Sequence, residues 1–286
     1  MTLLAVPNVS EGRSPSRVRG FVDSITATGA RVLDVHSDPV HNRTVLTVTG
    51  PTRRLDAAML ALCLECSYID MTRHEGVHPR LGGLDVCPFV PYETAVVEAV
   101  TAAHRVGEII HDRTGLPVYF YGQAALREAT RRLPDLRRGG LSTLMERAQS
   151  GLQPDLGDAI DERRGVVCVG ARGPLIAFNV VLDAPIEVAR RVASGVRTST
   201  GGLPGVSALA FPLEGGRVQV SMNLSDPDTT GIDHAFAEIV GRAREEGASV
   251  VATEIVGLVP ERFLPKGEAA RLLLQPSRSL ESVLLD

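Results

Sequence analysis

Val18, Phe21, Val22 and Ile25 recur at i, i+3, i+4 and i+7, the buried stripe of one helix. Ser14 and Pro15 stand ahead of that stripe, a capping hydroxyl followed by a proline whose missing N–H costs nothing in a first turn. Residues 2–6 read as a short apolar strand before it. Residues 31–36 and 43–49 read as strands joined by a polar turn, followed by a helix over 53–67, a loop over 70–83 and a strand over 84–90. A helix over 93–113 and a strand over 117–121 are appended. The second half repeats the order: a strand over 174–182, a helix over 185–197, two strands near 206–213 and 217–224 around Gly215-Gly216, a helix over 231–246 and a strand over 249–256. The pattern predicts an α+β fold (α/β layers) of two similar β-α-β-β-α-β subdomains, each a mostly antiparallel sheet with helices on one face. Residues 150–165, richer in Asp, Gly and Arg, read as the connector, and a ligand cleft between the halves is expected because small-molecule sites favour such interfaces.

Composition narrows the function. A length of 286 residues suits one large domain or two small ones, and 44% hydrophobic content is that of a globular chain. A net charge of −4 argues against a nucleic-acid partner that depends on phosphate neutralisation. No apolar run approaches the ~18–20 residues a bilayer requires, and no basic stretch leads into an apolar one at the start, so no membrane partner and a cytoplasmic location are expected. Lys266 is the only lysine, the other cations being arginines, whose planar forks can grip carboxylates. Four cysteines in a chain this long make no disulfide framework.

Two metal-like patterns fail in context. Cys63-Leu64-Glu65-Cys66 lies in a run that reads as a buried helix, where cysteine is a small hydrophobe, and no second C-x-x-C completes a zinc set. His74-Glu75-Gly76-Val77-His78 spells H-E-x-x-H, but Pro79 disfavours helical geometry at His78 and Gly76 weakens a helix further. Read as a loop, residues 74–85 bring imidazoles, Arg80, Glu75 and Asp85 between a helix and a strand, either a solvated turn or a site where imidazole moves protons and arginine holds a carboxylate. Asp34 and His36 share a strand face ahead of a polar turn that ends at Asn42-Arg43. Further polar segments stand at Asn8–Arg13, at Gly170-Ala171-Arg172-Gly173 and at Ser221-Met222-Asn223. No phosphate-binding loop, dinucleotide fingerprint or serine-nucleophile elbow is present.

Several of these segments, in order, resemble the formiminotransferase domain: Val6–Gly12, Asn42-Arg43-Thr44, Gly76-Val77-His78-Pro79-Arg80, Leu84–Phe89, Pro154–Gly157, Gly170–Asn179, Gln219–Leu224 and Glu254–Pro260. The resemblance covers almost the whole chain and implies two subdomains, residues 1–173 and 174–286, without the cyclodeaminase domain fused in some members. It implies transfer of a formimino group from N-formimino-L-glutamate to N5 of tetrahydrofolate, the folate serving as co-substrate and no metal being needed. It puts the family's acid–base histidine on His78. The glutamate-bearing substrates it implies need cationic partners, for which Arg43, Arg80 and Arg172 are the candidates, with Asp34 or Asp85 as a carboxylate for the pterin or the amidine. Asn179 belongs to the matching segment, and Gly157, Asp158 and Gly165, with Gly201 and Leu203, fall at its folate segments. Small-molecule partners and a homodimer are expected. His36 and Val77 replace acidic residues common in the family, which leaves folate-dependent formyl transfer, or a non-catalytic folate or amino-acid binding module, as alternatives.

Overall fold

The computed structural model describes residues 2–76, 79–265 and 279–285. It forms two compact units, Met1–Arg172 and Gly173–Asp286. No helix among the described residues is long and apolar enough to cross a membrane.

In the first unit, β1 (Thr2–Ala5) and β2 (Asn8–Val9) lead into α1 (Pro15–Thr26), whose Ser14 cap and first-turn Pro15 start it and whose Phe21 and Ile25 are buried. Then come β3 (Arg31–Asp38), β4 (Arg43–Thr49), α2 (Thr52–Glu65) and β5 (Leu84–Tyr92). This is the expected split β-α-β-β-α-β unit, with β5, β1, β4 and β3 side by side and antiparallel.

The chain continues through α3 (Val96–Thr114), β6 (Val118–Gly122), α4 (Leu133–Arg137), α5 (Gly140–Gln149) and β7 (Val167–Ala171). β7 pairs with both β5 and β6 in parallel and widens the sheet to seven strands. Helices therefore cover both faces at this end, a departure from the one-sided layer expected. Val118 and Phe120 join the core beneath α1, α2 and α3, whereas Tyr119 and Tyr121 pack with Leu136 of α4 and Leu144 of α5. Residues 150–165 are no connector: Leu156 and Asp155 hydrogen-bond to Val118 of β6, and the segment belongs to the first unit.

The second unit keeps the simple plan. It runs β8 (Ile176–Asp183), α6 (Ile186–Val196), β9 (Val206–Pro212), β10 (Val218–Leu224), α7 (Ile232–Glu245) and β11 (Ser249–Val256), with a short α8 (Leu280–Leu285). Its sheet order, β11-β8-β10-β9, is wholly antiparallel. Val188, Ala189, Val192, Ala193 and Val196 of α6 and Ile232, Ala235, Phe236, Ile239 and Ala243 of α7 are buried at helical spacing and close one face.

Candidate active site

Strand alternation sorts the first sheet into an oily face and a polar one. Leu46 and Val48 of β4 enter the core under the helices, so Arg43, Val45 and Thr47 lie on the opposite face. Their β3 partners, Asp38, His36 and Asp34, share that face. Asp34 sits opposite Thr47, four residues along β4 from Arg43, about 13 Å at ~3.3 Å per residue. The two are on one surface but not in contact.

A cluster of arginines gathers at the end of this face where β4 begins. Asp85 of β5 is only 2% exposed, accepts from the Leu81 N–H at 2.9 Å and pairs with the Arg137 guanidinium from α4. Arg43 and Arg80 lie within electrostatic reach of the same carboxylate. Burial first, then the neighbouring Arg137, pushes the Arg43 guanidinium down to about 9, so it stays charged at neutral pH. Burial likewise lowers Arg80, to about 10, with Asp38 and Arg13 as further charged neighbours. Arg172, which follows β7, is lowered by burial and hydrogen-bonded to Tyr121, whose phenol burial pushes up. Arg43 Nε is shut off from solvent with no hydrogen-bond partner among the described residues. Buried positive charge thus exceeds what Asp85 can neutralise, which is the electrostatic complement of an anionic ligand.

The loop before Asp85 is stitched to this cluster. Arg80, 6% exposed, donates to the carbonyl of His41, and a Cβ on Gly76 would lie 2.6 Å from both that carbonyl and the guanidinium. Ser10 donates to the Gly82 carbonyl at 2.7 Å, and its own N–H reaches the Gly83 carbonyl at 2.8 Å. Asn42 touches His74 at 3.2 Å and Glu75 O at 2.9 Å. Burial, then Arg80, lowers the His74 imidazole below 6.5. Residues 74–76 are not helical. His78 lies outside the described residues.

Sequence reasoning brought Arg43, Arg80, Asp85 and Arg172 to this region and missed Arg137, Asn42 and Tyr121. The carboxylate of Asp85 is taken up by Leu81 and Arg137. Gly165 is buried at φ +68°, where a Cβ would run into the Leu81 carbonyl, so it lets two backbones approach. Gly157 lies against His111 and Pro117, away from the arginines, next to exposed Asp158. In the second unit, Asn179 accepts from Ser221 at 2.8 Å and donates to Glu254 at 3.0 Å across three adjacent strands. Gly201 ends a short turn at φ +87°, and Leu203 packs against the second core. A cavity of about 270 Å³ opens between the C-terminal ends of α2 and α3, lined by Cys63, Cys66, Leu84, Arg113 and Arg164, and holds none of the expected site residues.

The model of the formiminotransferase domain, N-terminal subdomain, matches residues 2–172, and that of the formiminotransferase domain matches residues 177–278. The chain is 36% identical over 266 residues to a glutamate formimidoyltransferase of Streptococcus pyogenes serotype M1, covering 91% of this chain and 89% of that one. It is 38% identical over 269 residues to a glutamate formimidoyltransferase of Thermoplasma acidophilum, covering 91% and 88%. It is also 38% identical over 271 residues to the formimidoyltransferase-cyclodeaminase of Sus scrofa, of which it spans 50%. Matched by family models over both units and by relatives along nine-tenths of its length, the chain belongs to the formiminotransferase domain family.

Proposed function

We propose that the chain transfers the formimino group of N-formimino-L-glutamate to N5 of tetrahydrofolate, yielding 5-formiminotetrahydrofolate and glutamate, a step of histidine degradation. The observation that carries this reading is the buried excess of arginine, with Arg43 Nε left without a partner. Glutamate bears two carboxylates, and Arg43, Arg80 and Arg172 are the groups to receive them. Charge-assisted bonds of this kind contribute roughly 1.5–3 kcal/mol each.

The chemistry assigned to His78 is a proton relay. As N5 attacks the amidine carbon, a C–N bond forms and the nitrogen becomes cationic. The imidazole removes that proton and returns it to the glutamate nitrogen as the old C–N bond breaks. Such acid–base help gives typically ~10²–10⁴-fold, and alignment of the two substrates up to ~7–11 kcal/mol. Asp34 suits the protonated amidine or the amino-pyrimidine edge of the pterin. Gly157, Asp158, Gly201, Leu203 and the Ser221–Asn179–Glu254 array are the candidates on the folate side, and a homodimer belongs to the same proposal.

The test is to incubate the purified protein with formiminoglutamate and tetrahydrofolate, acidify, and read the absorbing methenyl product. The reading expects a signal that His78→Ala abolishes. Product from N-formyl-L-glutamate alone would replace it with formyl transfer. Tight folate binding without turnover of any donor would leave a binding module.

A further inference from the structure

The segment that carries residue 78 is gripped on both flanks by two successive residues of the turn between β3 and β4. Upstream, Asn42 Nδ2 donates to the Glu75 carbonyl at 2.9 Å and faces His74 Nε2 at 3.2 Å. Downstream, the Arg80 guanidinium donates to the carbonyl of His41. The Asn42 amide can sit only one way round, because its Oδ1 accepts from the Gly12 N–H at 3.0 Å. Both amide protons therefore point at the loop, one toward Glu75 O and the other toward His74. The backbone of Asn42 is left-handed, at φ +48°, and the residue is buried. Asparagine is one of the few side chains that tolerate this region. Glycine would satisfy the backbone and leave three hydrogen bonds unmade.

The same geometry fixes the state of His74. An Nε2 that faces an N–H donor must accept, so the ring is neutral with its proton on the other nitrogen, and a ring N–H bond to the Ser10 carbonyl takes that proton up. A second proton would set donor against donor at Asn42. Arg80 and Arg13 stand nearby as cations and Glu11 as an anion.

We infer that Asn42, acting through His74 and the Glu75 carbonyl, is a positioning residue that sets the acid–base loop from the β3–β4 turn, with His74 serving only as a neutral acceptor. The inference rests on the reading that His78 moves the proton. It explains why an asparagine, rather than the glycine a left-handed turn would accept, precedes Arg43.

Three variants test it: Asn42→Gly, Asn42→Asp and His74→Gln. Steady-state kcat and KM for formiminoglutamate are measured across pH, together with amide hydrogen exchange over residues 73–82. Asn42→Gly folds, keeps KM within ~3-fold, loses ~10–100-fold in kcat as a misplaced catalytic group does, and exchanges faster in the loop. Asn42→Asp retains the acceptor for Gly12 but turns a carboxylate oxygen toward Glu75 O, and it follows the glycine variant. His74→Gln, whose Oε1 can still accept from Asn42, retains most of kcat and keeps the loop protected from exchange. Wild-type kcat together with wild-type exchange in Asn42→Gly overturns the inference, as does a His74→Gln variant that loses as much kcat as Asn42→Gly. A wild-type protein without turnover sinks the functional reading instead, and the exchange contrast between wild type and Asn42→Gly still decides the clamp.

Discussion

Asp85→Asn removes the carboxylate that Arg137, Arg80 and Arg43 all face. An opposite pair in contact is worth ~4 kcal/mol at an effective dielectric near 20, and desolvation offsets part of that. Breaking a buried pair from one side leaves its partner uncompensated and costs about 3–5 kcal/mol. Asparagine still accepts from the Leu81 N–H, so the loss is electrostatic and not a dropped hydrogen bond. At about 2–4 °C per kcal/mol for a unit of this size, the first unit melts about 6–20 °C lower. Arg137→Met is the informative contrast. It leaves Asp85 with Arg80 and Arg43 and relieves the repulsion between Arg137 and Arg43, so its cost is only ~1–2 kcal/mol. The double variant is more stable than Asp85→Asn alone, because one of the stranded cations is gone. Thermal and urea unfolding followed by circular dichroism measure all three, at two salt concentrations, since a pair with Asp85 2% and Arg137 12% exposed is poorly screened. Equal losses for the two single variants, or a loss under ~1 kcal/mol for Asp85→Asn, would refute the idea that the cluster carries surplus positive charge.

Arg43→Met should raise KM for formiminoglutamate ~10–100-fold while leaving the melting temperature unchanged or higher, because it deletes a buried cation whose Nε has no partner; paired kinetics and melts check both halves. His74 titrates below 6.5 when folded, so the unfolded chain takes up its proton first. Its contribution is therefore complete above pH 6.5, falls as the pH drops toward the lower folded value and is level beneath it. His74→Gln flattens that part of a stability-against-pH profile. Gly165→Ala forces a side chain into left-handed backbone against the Leu81 carbonyl and should cost at least ~2 kcal/mol with a loss of kcat, read by urea unfolding and turnover.

Elements with one wet face announce themselves by pattern. Ser14-Pro15 ahead of Phe21 and Ile25 marks α1, and alternation ahead of Gly215-Gly216 marks β9. β7 lacks that signal, as do the buried β5 and β6 that the apolar runs over 84–90 and 117–121 still reveal. Val167–Ala171 is buried throughout between β5 and β6 and shows no alternation. Pro134, Gly139 and Gly140 fall at the starts of α4 and α5, and the hydrophobic pattern predicts no element there. The site follows the same logic. Arg80 and Asp85 lie five residues apart on either side of Gly82-Gly83 in one short loop and could be grouped by eye. Arg137 joins them only because α4 folds over β5, a contact 52 residues apart in sequence. Asn42 announces a turn in any sequence reading, but the three hydrogen bonds of its amide depend on Gly12, His74 and Glu75 arriving from separate segments.

The two units share one strand plan, yet they present different chemistry on the face their helices leave open. In the second unit, Ser221, Asn179 and Glu254 form a row across three strands and satisfy one another. The equivalent face of the first unit ends in a cluster of arginines around one buried carboxylate, Asp85. Of its four clustered arginines, Arg43 and Arg80 stand on the shared β-α-β-β-α-β scaffold, whereas Arg137 and Arg172 come with the segment that adds α4 and β7. Tyr121, which holds Arg172, lies on β6 of the same addition. That addition therefore does two things at once: it closes a second hydrophobic layer over Tyr119 and Tyr121, and it delivers half of the positive charge. The layer under α4 and α5 gives these two cations rigid surroundings, in which Arg137 pairs with Asp85 and Arg172 bonds to Tyr121. The charge pattern of the first unit thus depends on the added segment as much as on the plan that both units share.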